Sequence, residues 1–386
     1  MNKRPNPTMF PVSSYYNNHR TWPCFVFLFL FCLPLFPAMF LPDSMSELKA
    51  NGLSNSSWHG FMRFLDAGKG GRIDGMEELK RYFGRFGYMP FSSRDHNFTD
   101  FFDEEFESAL VSYQKNLGLS ETGKLDYDTM RVIVSPRCGV SDVVPAAGGR
   151  FRTTRHFTYF EGEPRWARPT PMTLTYAFSP AHMIDYVNST DVKLAFRSAF
   201  SRWSAVIPVN FTEARRYSSA NIKIGWYSGD HGDGEEFDGV LGVLAHAFSP
   251  ENGRFHLDSA ERWAVDFSTE KSKVAVDLES VATHEIGHLL GLGHSSVKEA
   301  IMYPSLRPRK KKVELREDDV EGIQALYGSN PNYRYDSKLE SDISSSWGMG
   351  SDIRTRMLKT SGIIVGVASL LSLDRDFSFS FLKKLF

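Results

Sequence analysis

The run Thr283-His284-Glu285-Ile286-Gly287-His288-Leu289-Leu290-Gly291-Leu292-Gly293-His294 leaves the least freedom to whatever fold surrounds it. His284 and His288 stand four residues apart, so on a helix both imidazoles lie on one face, a turn apart, and reach one ion. Gly291 accepts the left-handed conformation that ends a helix and swings the chain round, which returns His294 to the same ion. Three neutral histidines with an open fourth position describe a catalytic zinc site rather than a structural one. Glu285, beside the first histidine, can reach a water on the metal without ligating the metal itself. Zinc lowers the pKa of that water to about 7, and the carboxylate can take its proton and pass it to a leaving amine. HExxH alone recurs by chance in helices, but the glycine and the third histidine at fixed offsets make chance a poor account.

These residues match the metzincin pattern, and Ser295, directly after the third histidine, resembles the matrixins, or matrix metalloproteinases. Ile301-Met302-Tyr303-Pro304, with Met302 eight residues after His294, resembles that family's Met-turn, whose methionine packs beneath the metal. The resemblance covers about Phe61 to Gly328. It implies a secreted, zinc-dependent endopeptidase made as a latent zymogen, acting on extracellular or cell-surface peptides and proteins. The implied fold is α+β: a metzincin-type catalytic domain with a twisted, mainly parallel sheet and three helices. A small three-helix, peptidoglycan-binding-like prodomain precedes it. The compact layout, with Gly162-Glu163-Pro164-Arg165-Trp166 opening the catalytic domain and no hemopexin domain after Gly328, looks most like the plant members.

The cysteines fit this reading. Of the three, Cys24 and Cys32 lie in the apolar run Cys24 to Phe36, which follows Lys3, Arg4 and Arg20 and looks like a secretory signal removed near Pro37-Ala38. The run is shorter than the roughly 18 to 20 residues a membrane span needs. Cys138 is left alone, without a partner for an intramolecular disulfide. Pro136-Arg137-Cys138-Gly139-Val140-Ser141-Asp142 resembles the matrixin cysteine switch, in which the thiolate ligates the catalytic zinc in the latent form and takes the place of water. The resemblance makes Arg137 and Asp142 the ion pair that holds this loop. Ser141 stands where many members have proline.

A second cluster precedes the histidine helix. His231, Asp233, His246 and His256 suit a closed tetrahedral structural zinc. Asp238, Asp258 and Glu261, with carbonyls of the glycine-rich loop, suit calcium; the resemblance places those carbonyls at Gly239, Leu241 and Val243. Gly and Asp also favour plain polar turns, and it is the match in order and spacing to matrixins that selects the metal reading. Asn221 stands where vertebrate members have a calcium-binding aspartate, and the loop Pro250 to His256 is short, so a second calcium is not expected.

From about Gly60 to Val134 the periodicity is helical. Met76 to Phe83 opens one amphipathic stretch, Phe106, Leu110, Tyr113 and Leu117 mark another that ends at Gly118, and a third runs to Ile133. Beyond the loop Pro136 to Gly149, Met172, Leu174, Tyr176 and Phe178 alternate like a strand, as do Ile222, Ile224 and Trp226. Between them Val192, Ala195, Phe196, Ala199 and Trp203 mark a helical face. Periodicity puts the histidine motif on the last helix.

The resulting partition is a signal peptide over 1–38, a propeptide over 39–149, a catalytic domain over 150–329 and a Ser-rich tail over 330–386. In that tail Gly350 and Ser351, a polar spacer and the apolar run Gly362 to Leu373 resemble the signal for a GPI-type lipid anchor at the plasma membrane, although a charged extension to Phe386 follows. Secretion gives meaning to the sequons at Asn55, Asn97, Asn188 and Asn210. Arg152-Thr153-Thr154-Arg155 is a minimal dibasic-type site near the domain junction. With 45 Lys and Arg against 46 Asp and Glu, no global basic field argues for nucleic acid. The local run Arg307, Arg309 and Lys310-Lys311-Lys312 reads as a solvated loop. A monomer is expected. The rival class is a non-catalytic matrix- or glycan-binding protein whose metals are structural.

Overall fold

The computed structural model describes residues 56–90, 98–143 and 156–334. Parallel strands β3 (Met172–Phe178) and β5 (Ile222–Tyr227) lie side by side in the larger sheet, with Leu174, Tyr176, Ile222 and Ile224 buried. Around them the order is β1 (Arg137–Cys138), β6 (Val243–Ala247), β7 (Arg254–Asp258), β5, β3 and β4 (Val209–Glu213). Every neighbouring pair is parallel except β6 with β7. Two two-stranded sheets pair β2 (Phe157–Tyr159) with β10 (Leu292–Ser295) and β8 (Trp263–Ala264) with β9 (Val276–Asp277).

The helical prodomain contains α1 (Met76–Arg85), α2 (Glu104–Asn116) and α3 (Tyr127–Ile133), preceded by a 3₁₀ turn at His59–Phe64. Asp103 and Asp126 cap α2 and α3 by accepting from Phe106 N and Thr129 N. Phe83, Phe102, Phe106 and Tyr113 are fully buried and meet at ring distances of 4.8–5.0 Å. The expected α+β class and three-helix prodomain are what the chain folds into.

Helix α4 (Ser189–Val206) buries Val192, Ala195, Phe196, Ala199 and Trp203, the face the periodicity marks. It packs on α5 (Leu278–Leu289), the histidine helix, where Trp203 Nε1 donates to Thr283 O at 2.9 Å. The histidine helix is not the last. A sixth helix, α6 (Glu317–Tyr327), follows and buries Val320, Ile323 and Leu326, which bring the catalytic domain to the three helices the resemblance implies. Periodicity passes over it because its first three residues, Glu317, Asp318 and Asp319, are acidic and its apolar face is short.

The segment after α3 leaves the prodomain and enters the sheet. Arg137 N donates to Gly242 O at 3.0 Å and Gly139 N to Ala245 O at 2.8 Å, while Cys138 N donates to Pro304 O at 2.9 Å and Leu306 N to Pro136 O at 3.0 Å. β1 is thus a strand with partners on both sides, parallel to β6 and antiparallel to the segment after the Met-turn. The expected signal peptide, the sequons Asn55 and Asn97, the Arg152 to Arg155 site and the tail with its anchor-like run lie outside the described residues. No helix among the described residues is long and apolar enough to cross a membrane.

Candidate metal centre

Asp277 caps α5 by accepting from Ser280 N at 2.8 Å, and the helix then carries His284, Glu285 and His288 into a fully enclosed environment. Gly291 has φ 107°, and a Cβ there would lie 2.3 Å from Pro164 O, so the turn that returns His294 requires glycine. The Nε2 atoms of His284 and His294 lie 3.1 and 3.2 Å from that of His288. Cys138 Sγ completes the group at 3.4 Å from His288 Nε2. All four ligand atoms fall within 4.8 Å of one another. Each histidine turns Nε2 inward because its Nδ1 is engaged elsewhere: with Ile301 O, with Leu292 O and with Asp142 Oδ1, each at 2.7 Å.

This donor set fits zinc. Three imidazole nitrogens and a sulfur converging in a buried space are the soft, four-coordinate arrangement that ion takes. Burial holds the pKa of His284 and His288 well below the usual value and that of His294 below it, so all three are neutral and able to ligate; burial also pushes the Cys138 thiol well up. Glu285 is buried with neither carboxylate oxygen hydrogen-bonded, and burial pushes its pKa up to about 8. A small cavity of about 20 Å³ beside it is walled by Leu244, Val281, Ile301 and Leu306.

Met302 lies under α5, its Sδ where a side chain on Gly287 would go. Asp319, from α6, holds the Met-turn: its carboxylate accepts from Ile301 N at 2.8 Å, Met302 N at 3.0 Å and Arg316 N at 2.8 Å. Its neighbour Asp318 accepts from Ser295 Oγ at 2.6 Å. Sequence reading passes over both aspartates; the only local signal is their place in the first turn of a helix, where acidic residues are common.

Arg137 and Asp142 form the expected ion pair, both buried. Arg137 also lies over the Phe86 ring at 3.6 Å, and Tyr88 OH donates to Asp142 Oδ2 at 2.9 Å. Ser141, in place of proline, donates to Val143 O at 2.8 Å, so a hydroxyl braces the loop where a ring otherwise restricts it.

The second cluster is also assembled. His246 and His256 face each other across the antiparallel β6–β7 pair. Asp233 Oδ2 lies 3.1, 2.9 and 2.7 Å from nitrogens of His231, His246 and His256. Burial lowers His246 and His256 to about 4, and the surrounding hydrogen bonds hold Asp233 well below its usual range. These four also lie within 4.8 Å of one another.

Beside them Asp258, Asp238 and Glu261 gather in the interior. Each accepts from an amide of the glycine-rich loop: Gly239 N to Asp258 at 3.2 Å, Leu241 N to Glu261 at 2.6 Å, and Val243 N to Asp238 at 2.7 Å; Asp258 also accepts from Ala260 N at 2.8 Å. The three backbone positions named from the resemblance therefore meet the carboxylates through N–H groups, and Leu241 O accepts from Ser56 Oγ at 2.8 Å. Asp238 Oδ2 and Glu261 Oε2 are buried with no partner, and burial raises all three carboxyls, Asp258 to about 6. Asn221 Oδ1 accepts from Thr175 N and Oγ1 at 2.9 and 3.0 Å, a neutral side chain bridging strands. The basic run is largely engaged: Lys311 with Glu279, Arg309 with the carbonyls of Phe267, Glu270 and Ser272, and Lys312 with Ala300 O. Asn188 and Asn210 are exposed.

A His-rich centre on this helix, under a mainly parallel sheet, is that of a zinc metalloendopeptidase. Residues 165–328 match the family model described as Matrixin, and residues 72–133 match that of a putative peptidoglycan binding domain. Metalloendoproteinase 1-MMP of Arabidopsis thaliana is 56% identical over 326 residues, covering 83% of this chain and 88% of that protein. Metalloendoproteinase 4-MMP of the same plant is 57% identical over 279 residues (72% and 80%), and Metalloendoproteinase 1 of Glycine max is 44% identical over 296 (76% and 94%). The chain belongs to the matrixin family.

Proposed function

We propose that this metalloendopeptidase is secreted as a zymogen and that residues 39–149 form its propeptide, with the mature catalytic domain starting at about residue 150. His284, His288 and His294 would hold the catalytic zinc, with Cys138 as fourth ligand in the latent form. Bound zinc supplies Lewis acidity, polarising the scissile carbonyl and acidifying a water. Glu285 is the general base: its carboxylate takes the proton of the attacking water and hands it to the leaving amine. An extended substrate takes the groove between β6 and the segment after Pro304, pairing by main-chain hydrogen bonds as β1 does now. The apolar walls beside Glu285, where Cys138 closes a small cavity, take an apolar side chain of that substrate once β1 has left.

The observation that carries the reading is the position of Cys138, whose sulfur completes a four-donor set while its strand fills the groove. Two further sites belong to the proposal: a structural zinc at His231, Asp233, His246 and His256, and a calcium at Asp238, Asp258 and Glu261. Unpartnered buried carboxylate oxygens at Asp238 and Glu261 support the latter. Glycosylation at Asn55, Asn97, Asn188 and Asn210, an extracellular location, a lipid-anchored C-terminus and a monomeric state complete it.

The test is hydrolysis of a fluorogenic peptide library by the full-length secreted protein before and after a thiol-reactive mercurial, with and without a zinc chelator. Activity should appear on thiol modification, vanish on chelation and be missing in Glu285→Ala. Silence from a folded, zinc-loaded, thiol-modified protein would overturn the proposal in favour of a binding role.

A further inference from the structure

The three histidines of the centre are braced in two different ways. His284 Nδ1 and His288 Nδ1 donate to Ile301 O and Leu292 O, main-chain groups of the catalytic domain that stay with it whatever happens to the prodomain. His294 Nδ1 meets Asp142 Oδ1 at 2.7 Å, and among the described residues no other hydrogen-bond partner reaches that nitrogen. Asp142 lies four residues after Cys138, within the proposed propeptide, and the role inferred for it rests on that assignment.

We propose that Asp142 is a positioning residue for the third zinc ligand, so that the propeptide grips the metal centre twice, with a thiol at its open side and a carboxylate behind His294. The carboxylate is well placed for this. Oδ1 is shared between His294 and the Arg137 guanidinium, Oδ2 accepts from Tyr88 OH at 2.9 Å, and the Asp142 amide donates to Phe86 O at 3.1 Å. Its side chain is 2% exposed, so water does not compete for either oxygen. A carboxylate that accepts from Nδ1–H fixes the tautomer in which the Nε2 lone pair points at the metal, holds the ring plane and makes the imidazole a stronger donor. Partners of this kind change metal affinity about 10- to 100-fold.

The asymmetry has a direct consequence. When the propeptide leaves, His284 and His288 keep their carbonyls while His294 loses the carboxylate that braces its Nδ1. The zymogen therefore retains zinc better than the mature enzyme by more than the thiol accounts for, and Asp142 does two jobs: with Arg137 it latches the loop, and with His294 it orients a ligand.

The thiol has to be taken out of the comparison, so the experiment uses full-length zinc-loaded Cys138→Ser protein as its baseline. Zinc release to a chromogenic chelator is timed for this protein and for its Asp142→Ala, Asp142→Asn and Tyr88→Phe derivatives. Tyr88→Phe removes a hydrogen bond to the same carboxylate without touching His294, and so reports loosening of the loop alone. Asp142→Ala should release zinc about 10- to 100-fold faster than the baseline. Asp142→Asn, whose amide oxygen still accepts from Nδ1–H, should fall between, and Tyr88→Phe should stay within about threefold of the baseline. Absorption spectra of the cobalt-substituted proteins give a second readout: Asp142→Ala should shift the ligand-field bands and Tyr88→Phe should not. Equal release rates with identical spectra overturn the proposal, as does acceleration by Tyr88→Phe equal to that of Asp142→Ala. A folded Cys138→Ser protein that binds no zinc at all would instead overturn the reading of the site on which the proposal stands.

Discussion

Replacing Gly287 with alanine sets two effects of known size against each other. In a helix interior glycine is less favourable than alanine by about 1 kcal/mol, so propensity alone makes Gly287→Ala stabilising. The new Cβ, however, would sit 2.3 Å from Met302 Sδ and 3.1 Å from both Met302 Cε and Trp203 Cζ2. Carbon atoms settle at about 3.5–4.0 Å, so the overlap with the sulfur exceeds 1 Å. Both neighbours are buried in a packed interior, so the flexible Met302 thioether has little room to swing aside. Trp203 is fully buried and tied to Thr283 O, and the Met302 backbone is pinned at both ends, by Asp319 Oδ1 and by Ser295 N. Overpacking of this kind costs about 1–3 kcal/mol, and with immobile neighbours the upper half of that range applies. Subtracting the propensity gain leaves a net loss of about 1–2 kcal/mol, or about 2–8 °C in Tm for a unit of 150–250 residues. Calorimetry on the full-length protein measures it, and the double variant Gly287→Ala/Met302→Ala should lie above Met302→Ala alone, because the overlap with the sulfur is gone and only the milder 3.1 Å approach to Trp203 is left against the propensity gain. A single variant as stable as the parent or more so would refute the packing argument.

Glu285→Gln should lower peptide hydrolysis about 10²- to 10⁴-fold while leaving Tm unchanged or higher, since it replaces a buried carboxyl that lacks hydrogen-bond partners by a neutral group of the same shape. Arg137→Ala strands Asp142 in the interior; breaking a buried pair costs about 3–5 kcal/mol, so hydrolysis should appear without thiol modification, read as an initial rate. Burial pushes the Asp142 carboxyl up, but Arg137 and His294 together hold it down to about 2, below its unfolded value. Its contribution to docking is thus complete above about pH 4 and lost as pH falls toward 2, and protease sensitivity of the 136–142 loop should rise across that window and no higher. Calcium should raise Tm, by about 2.7 kcal/mol of stability at 100 times its Kd, and Glu261→Gln should abolish that rise; an equal response in the variant would remove Glu261 from the site.

Much of the catalytic centre was readable because its grammar is local. His284 and His288 are related by one helical turn, and Gly291 supplies the single left-handed residue that returns His294. No information from elsewhere in the chain is needed to bring those three nitrogens together. The helices of the prodomain were readable for the same reason, from apolar residues at helical spacing such as Phe106, Leu110 and Tyr113. Helix α6 was missed because its apolar face is three residues long and lies among acids, and only packing against β10 and β2 gives that face a purpose.

The pairings on which the proposed latency rests are of another kind. Asp142 and His294 are 152 residues apart and Cys138 and His288 are 150 apart. The Cys138 motif names a candidate ligand, but no periodicity says that its strand lies parallel to β6, or that Tyr88, just after the first prodomain helix, supports the aspartate behind the third histidine. β6 is buried along its whole length and β7 at all but its first residue, so no alternation in sequence says which residues stand opposite; the antiparallel register that sets His246 against His256 is a property of the assembled sheet. Residues joined by one turn of backbone are placed by covalent geometry, and the amino-acid order alone determined the zinc-binding helix with its returning histidine. Which groups brace that helix, cover it and hold its third ligand depends on free energy gained only when distant segments exclude water together, and tertiary structure alone decided it.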